Sequence, residues 1–227
     1  MKFSFLTGAA LALALGVQAH AAPVLTNGGF ETGDFTGWSV TANGIGGCGT
    51  DWNVSNLGIA TQCLPVANPV EGQFAAYNSF DGAGPVNYTL KQSVALGSVS
   101  QASLSWQHVF EVNVFGLART FSMSFLDSND QLIGEVFSQS FENGTFGSQG
   151  WVANSLDVTA LLAGYSGQTV QLVADVFISE SFTGPAGFGL DAVDLDVVSV
   201  VPVPGALVLL LGGLGGLGAL GARRKSA

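Results

Sequence analysis

The sequence predicts an all-β fold, an antiparallel β-sandwich (jelly roll) over residues 22–200 flanked by an N-terminal signal peptide and a C-terminal transmembrane helix. Three observations carry that reading. Apolar and polar residues alternate with a period of two in several separate stretches, as half-buried strands require. Clusters of Asp, Asn, Gly and Ser punctuate those stretches, as turns between strands do. Both ends of the chain are apolar runs bounded by basic residues, and they read as export signals.

Met1-Lys2 supplies a short basic start, and Phe3 to Val17 is an apolar run too short for a typical membrane span. Ala19-His20-Ala21 places small residues at the first and third positions, as signal peptidase requires, so residues 1–21 form the expected signal peptide. Cys48 and Cys63, the only cysteines, travel to an oxidising compartment, and a disulfide between them is expected. Closing that loop stabilises by about 3 kcal/mol in the chain-entropy model.

The strand pattern follows. Leu104, Trp106, His108 and Phe110 alternate with Ser103, Ser105 and Gln107, and Phe121, Met123 and Phe125 repeat the pattern against Ser122 and Ser124. Val170, Leu172, Ala174, Val176 and Ile178 do so again, with Phe177 breaking the polar face. Turns are marked by Asp81-Gly82, Asp127-Ser128-Asn129-Asp130, Glu142-Asn143-Gly144 and Ser166-Gly167. Only Val158 to Ala163 suggests a helical turn, and Leu190 to Val200 reads as the last strand. Many short strands of this kind predict a sandwich or jelly roll. Beyond it, residues 203–222 carry no charge, and a helix of that length spans about 30 Å, the thickness of a bilayer's hydrocarbon core. Arg223-Arg224-Lys225 closes the run and should stay cytoplasmic.

The net charge of −10 hides an asymmetry. Between the two targeting segments only Lys91 and Arg119 oppose 16 acids, a net of −14. Such a domain repels nucleic acid and anionic lipid. One histidine, His108, remains in the mature region, too few for a zinc site. No Gly-x-Ser-x-Gly surrounds a serine, and the glutamates are scattered singly. No catalytic residue is assigned.

Two resemblances sharpen the reading. Val201-Pro202-Val203-Pro204-Gly205-Ala206, the apolar Gly/Leu span and the basic end resemble a PEP-CTERM sorting signal of the VPxPA-like variety, with Val203 where the central glutamate usually stands. This resemblance implies a Gram-negative exosortase substrate, held briefly in the inner membrane and then placed at the cell surface or in an exopolysaccharide matrix. Its processing residues are Pro202, Val203, Pro204, Arg223 and Arg224 in residues 201–227. Asn27 to Trp38, Gly72 to Tyr77 and Gly187 to Val193 are similar to stretches of galactose-binding-like and carbohydrate-binding jelly-roll modules. That likeness implies a fold, on which sugar binding is common but not entailed.

The function expected is a non-enzymatic exported surface or matrix protein. The alternative is a carbohydrate-binding module, and a glycoside hydrolase or lyase ranks below both. For sugar binding, Trp52, Tyr88, Trp151 and Tyr165 are the aromatics outside the clearest core patterns, with Trp52 and Trp151 foremost. A structural calcium ion is expected at Glu31 and Asp191; the alternative is that Asp191 sits at the frayed start of its strand, hydrogen-bonded to turn amides. Asp191 shares its two-residue parity with Val193, Leu195 and Val197, so it should point toward the core, where a carboxylate needs a partner. The resembled modules place a Glu and an Asp calcium ligand at the positions matching these two residues.

Overall fold

The computed structural model describes residues 22–43, 50–58, 67–80, 82, 84–179 and 184–199. Ala19 and Ala21, the sorting residues Pro202, Val203, Pro204, Arg223 and Arg224, and the Cys48 and Cys63 pair lie outside the described residues. Among the described residues no helix is long and apolar enough to cross a membrane.

The alternating stretches form strands. In chain order they are β1 (Ala22–Pro23), β2 (Ser39–Asn43), β3 (Thr50–Ser55), β4 (Ala75–Phe80), β5 (Val86–Ala95) and β6 (Gln101–Asn113). The chain continues through β7 (Arg119–Asp127), β8 (Leu132–Phe141), β9 (Phe146–Ser148) and β10 (Val152–Asp157) to a helical turn, α1 (Thr159–Leu162), extended by a 3-10 turn to Tyr165. Strands β11 (Thr169–Ile178) and β12 (Ala186–Val198) close the domain. One sheet runs β10-β6-β12-β4-β3, with β1 added on β12 and β9 on β6; the other runs β2-β5-β11-β7-β8. Every pairing is antiparallel.

The core lies between the sheets, and the period of two decides its membership. Leu104, Trp106 and Phe110 from β6 meet Phe121, Met123 and Phe125 from β7 and the even-numbered residues of β11, all buried in one cluster with Phe30 and Trp38. Arg119, at the inward start of β7, is also buried; it sits over the Phe80 ring and donates to the carbonyls of Pro185 and Gly184. His108 is buried on the same inner face. The Trp106 indole and the Asn154 amide both donate to its Nδ1, each at 3.1 Å, so its proton sits on Nε2, which reaches Gln139 Oε1 at 2.8 Å. Burial holds the imidazole's pKa below its usual value, against the hydrogen bond that it donates to Gln139.

Asp191 does not face the core as its parity with Val193 predicts. Register shifts between Asp191 and Asp194, with Ala192 at φ 51°. That bulge inserts one residue, so Asp191 shares a face with Gly187 and Gly189 and points away from the core that holds Val193, Leu195 and Val197.

Candidate functional site

Trp52 does not serve as an exposed platform. It is 6% exposed and meets Phe188 edge-on at 5.7 Å. Its place between Asp51 and Asn53, with Val54 next on the same face, puts it in the core by the same alternation that builds the other strands. Tyr88 is buried with its hydroxyl on the Ser79 carbonyl, and Tyr165 packs half-buried against the core.

Trp151 is half-buried on the outer face of the larger sheet. Its ring edge meets Tyr77 at 6.4 Å, over a small cluster with Ala75 and Val109, and its indole N–H donates to the Asn68 carbonyl at 2.9 Å. It therefore pins a strap, residues 67–74, that crosses this half of the sheet. Tyr77 adds a hydroxyl bond to the Ala67 carbonyl.

Glu31 and Asp191 are the strap's other anchors. Asp191 Oδ2 accepts the N–H of Val70 and Glu71 at 3.1 Å each, and its Oδ1 accepts the N–H of Ala192 at 2.7 Å. The Glu31 carboxylate accepts the N–H of Gln73 and Phe74 at 3.0 Å. The Glu31 side chain, through its Cγ, and the Asp191 carboxylate both lie beside Gly29, so the structure brings the two expected residues to one neighbourhood. Burial pushes the Asp191 carboxyl up to about 6, with the Glu71 charge adding to it and three amide donors opposing it.

The outer face of the five-stranded sheet carries a different chemistry. Register aligns Thr41, Thr89, Asp175, Ser122 and Ser138 in a row across all five strands. The next row is Asn43, Asn87, Phe177, Thr120 and Ser140. Nearly every member is a hydroxyl or an amide, and Phe177 in their midst is 44% exposed. Beside it, the Thr89 hydroxyl donates to Asp175 Oδ1 at 2.5 Å and accepts from the Asn87 amide at 3.3 Å. Burial raises the Asp175 pKa, against the bonds from Thr89 and Asn87. The one nearby cation, Lys91, is held by Asp130 at 2.7 Å. An apolar ring flanked by hydroxyl, amide and carboxyl groups, with no free ammonium among the described residues, is suited to an uncharged ligand with an apolar face and many hydroxyls. Sequence reasoning missed this site, although its signal was the one aromatic that interrupts the polar positions of β11.

Among the described residues no group of three or more His, Cys, Asp or Glu side chains is placed to hold a metal ion. No protein-family model matches the chain, and no curated protein matches it. Solved structures do. The carbohydrate-binding module TmCBM61, in complex with beta-1,4-galactotriose, is similar at 18% identity with a TM-score of 0.50, covering 77% of this chain and 97% of that one. An apo cyclase from Fischerella sp. is similar at 12% identity, also with a TM-score of 0.50, covering 82% of this chain and all of that one. The domain thus has the β-sandwich fold that carbohydrate-binding modules use, and the same fold also carries a cyclase.

Proposed function

We propose that the domain is a non-catalytic carbohydrate-binding module of an exported surface protein, binding neutral glycan on the outer face of the five-stranded sheet. The observation that carries this is Phe177, an exposed ring at the centre of hydroxyl and amide rows. A pyranose stacks its C–H face on such a ring while its hydroxyls exchange hydrogen bonds with Asn87, Asp175 and Thr120. Among the described residues the one lysine on this face, Lys91, is paired with Asp130, which disfavours uronate and sulfate groups. A printed array of neutral, uronate-bearing and sulfated oligosaccharides tests the reading: binding is expected to neutral glycans and to fall at least tenfold in Phe177→Ala. Binding unchanged by that substitution overturns the site.

Export and sorting belong to the same proposal. The Ala19-His20-Ala21 site supports cleavage by signal peptidase, and Pro202-Val203-Pro204 ahead of an uncharged span supports an exosortase-like enzyme. Intact-mass measurement of surface-released protein should find a start near Ala22 and a lost tail; a retained tail argues for a permanent anchor. A structural calcium ion at Glu31 and Asp191 is also proposed. Its support is the chemistry of the donors: two carboxylate side chains that meet beside Gly29, one of them buried near Glu71, with oxygen ligands of the kind calcium takes. There it would relieve the buried charge of Asp191 and fix the strap.

A further inference from the structure

The strap seals only half of the larger sheet. Past Asp191 the outer face of β10, β6 and β12 is open, and two depressions of about 530 and 380 Å3 lie on it. Ser105, Gln107 and Asp194 line the first; Ser103, Ser155 and Asp196 line the second. Register makes them continuous. Ser105 in one is the cross-strand partner of Ser155 in the other, and Ser103 pairs with Asp196 as Ser105 pairs with Asp194. From Ser103 to Gln107 the floor runs about 13 Å along β6. Glu71 of the strap and the Gly28-Gly29 turn wall one end.

The floor is hydroxyl, carboxamide and carboxylate, an acceptor-rich surface with small side chains and no cation among its lining residues. Asp194 is held partly out of water next to Asp196, which raises its pKa against a backbone hydrogen bond from Leu195, and a carboxylate has lone pairs for further donors. Uncharged hydroxyls supply such donors along a linear chain, whereas an anionic polymer is repelled. The sandwich places this groove on one side and Phe177 on the other, with the core between.

We propose that the groove over β10, β6 and β12 is a second site for a neutral polysaccharide chain, so that one domain bridges two chains. This rests on the binding reading above but on different residues. Two sites on opposite faces cannot both be filled by one short segment, so each molecule becomes a cross-link and raises avidity for a network.

The test uses the protein, Phe177→Ala, Ser105→Tyr to fill the groove, and the double variant, each first shown to melt cooperatively. Gln107→Ala serves as a milder groove variant should Ser105→Tyr fail to fold. Gel retardation in neutral galactan, xylan and dextran reads binding, and the viscosity of the same polymers reads bridging. Retardation is expected to persist in each single variant and vanish in the double, while the viscosity rise disappears in either single variant. If Phe177→Ala alone abolishes retardation and the groove variants change nothing, the second site is overturned and the first stands. If the groove variants alone abolish it, the Phe177 site falls and bridging falls with it. No retardation of the unaltered protein in any of the three overturns both.

Discussion

Replacing Gly189 by Ala probes the pinned half of the larger sheet. A Cβ there would stand 2.8 Å from Val109 Cγ1, 2.9 Å from Tyr77 Cε1 and 3.0 Å from Trp151 Cη2. Val109 and Tyr77 are fully buried and cannot yield, but Trp151 is half-exposed and can swing out. Overpacking of this size costs about 1–3 kcal/mol. Withdrawal of the indole also forfeits its bond to the Asn68 carbonyl, worth about 1 kcal/mol. A loss of about 2–4 kcal/mol lowers Tm by about 4–16 °C for a domain of this size. Thermal unfolding and tryptophan fluorescence measure both parts: a lower Tm and a red-shifted emission from a more exposed Trp151. Glycan binding at Phe177, on the opposite face, should be unchanged. An unaltered Tm with unaltered emission would refute the account of the strap, and lost glycan binding would return Trp151 to the role of a platform.

Acid and base act on two buried groups with opposite signs. His108 has a depressed pKa in the fold, so stability is lost as pH falls below about 6.5, where the unfolded state takes up the proton; urea unfolding of His108→Gln between pH 7.5 and 5 should lack that loss. Asp191, raised to about 6, contributes stability that is full below about pH 4 and lost as pH rises through 6, roughly 3 kcal/mol, and Asp191→Asn should flatten this window. If calcium joins Glu31 and Asp191, millimolar calcium raises Tm over EDTA in the unaltered protein and not in Asp191→Asn; equal melts with no bound metal retire the ion. Non-reducing peptide mapping should find Cys48 joined to Cys63, and two free thiols in protein from the oxidising side would exclude the bridge.

Much of the fold was legible because a period of two is a local property. The inward residues of β6, β7 and β11 could be named from alternation alone, and the structure buries them together. Trp52 shows the same signal overlooked: the pair Trp52 and Val54, separated by Asn53, marks a core face even in a turn-rich region. The bulge after Asp191 was not legible. A single inserted residue resets parity for everything before it, and Ala192, which adopts the left-handed conformation, gives no sign of doing so. Nor was the strap. Its anchors Glu31 and Asp191 lie 42 and 121 residues away from Gln73 and Val70 along the chain, and hydrogen bonds to backbone amides leave no mark on the identity of the strap's residues. The hydroxyl rows fall between. Each strand shows its polar face, but only the register across five strands lines up Thr41, Thr89, Asp175, Ser122 and Ser138 and sets Phe177 beside them.

The most direct test of the account is isothermal titration of the best-binding neutral oligosaccharide from the array into Phe177→Ala, Asp175→Asn and the unaltered protein. Loss of the stacked ring should weaken binding about tenfold or more, in line with the 0.5–1.5 kcal/mol of an aromatic pair added to the burial of its area. Asp175→Asn keeps an acceptor for Thr89 and should weaken binding less, without gaining affinity for uronate-bearing or sulfated analogues beyond that of the neutral glycan. Unchanged affinity in Phe177→Ala, with the variant folded, would contradict the claim that this face binds glycan.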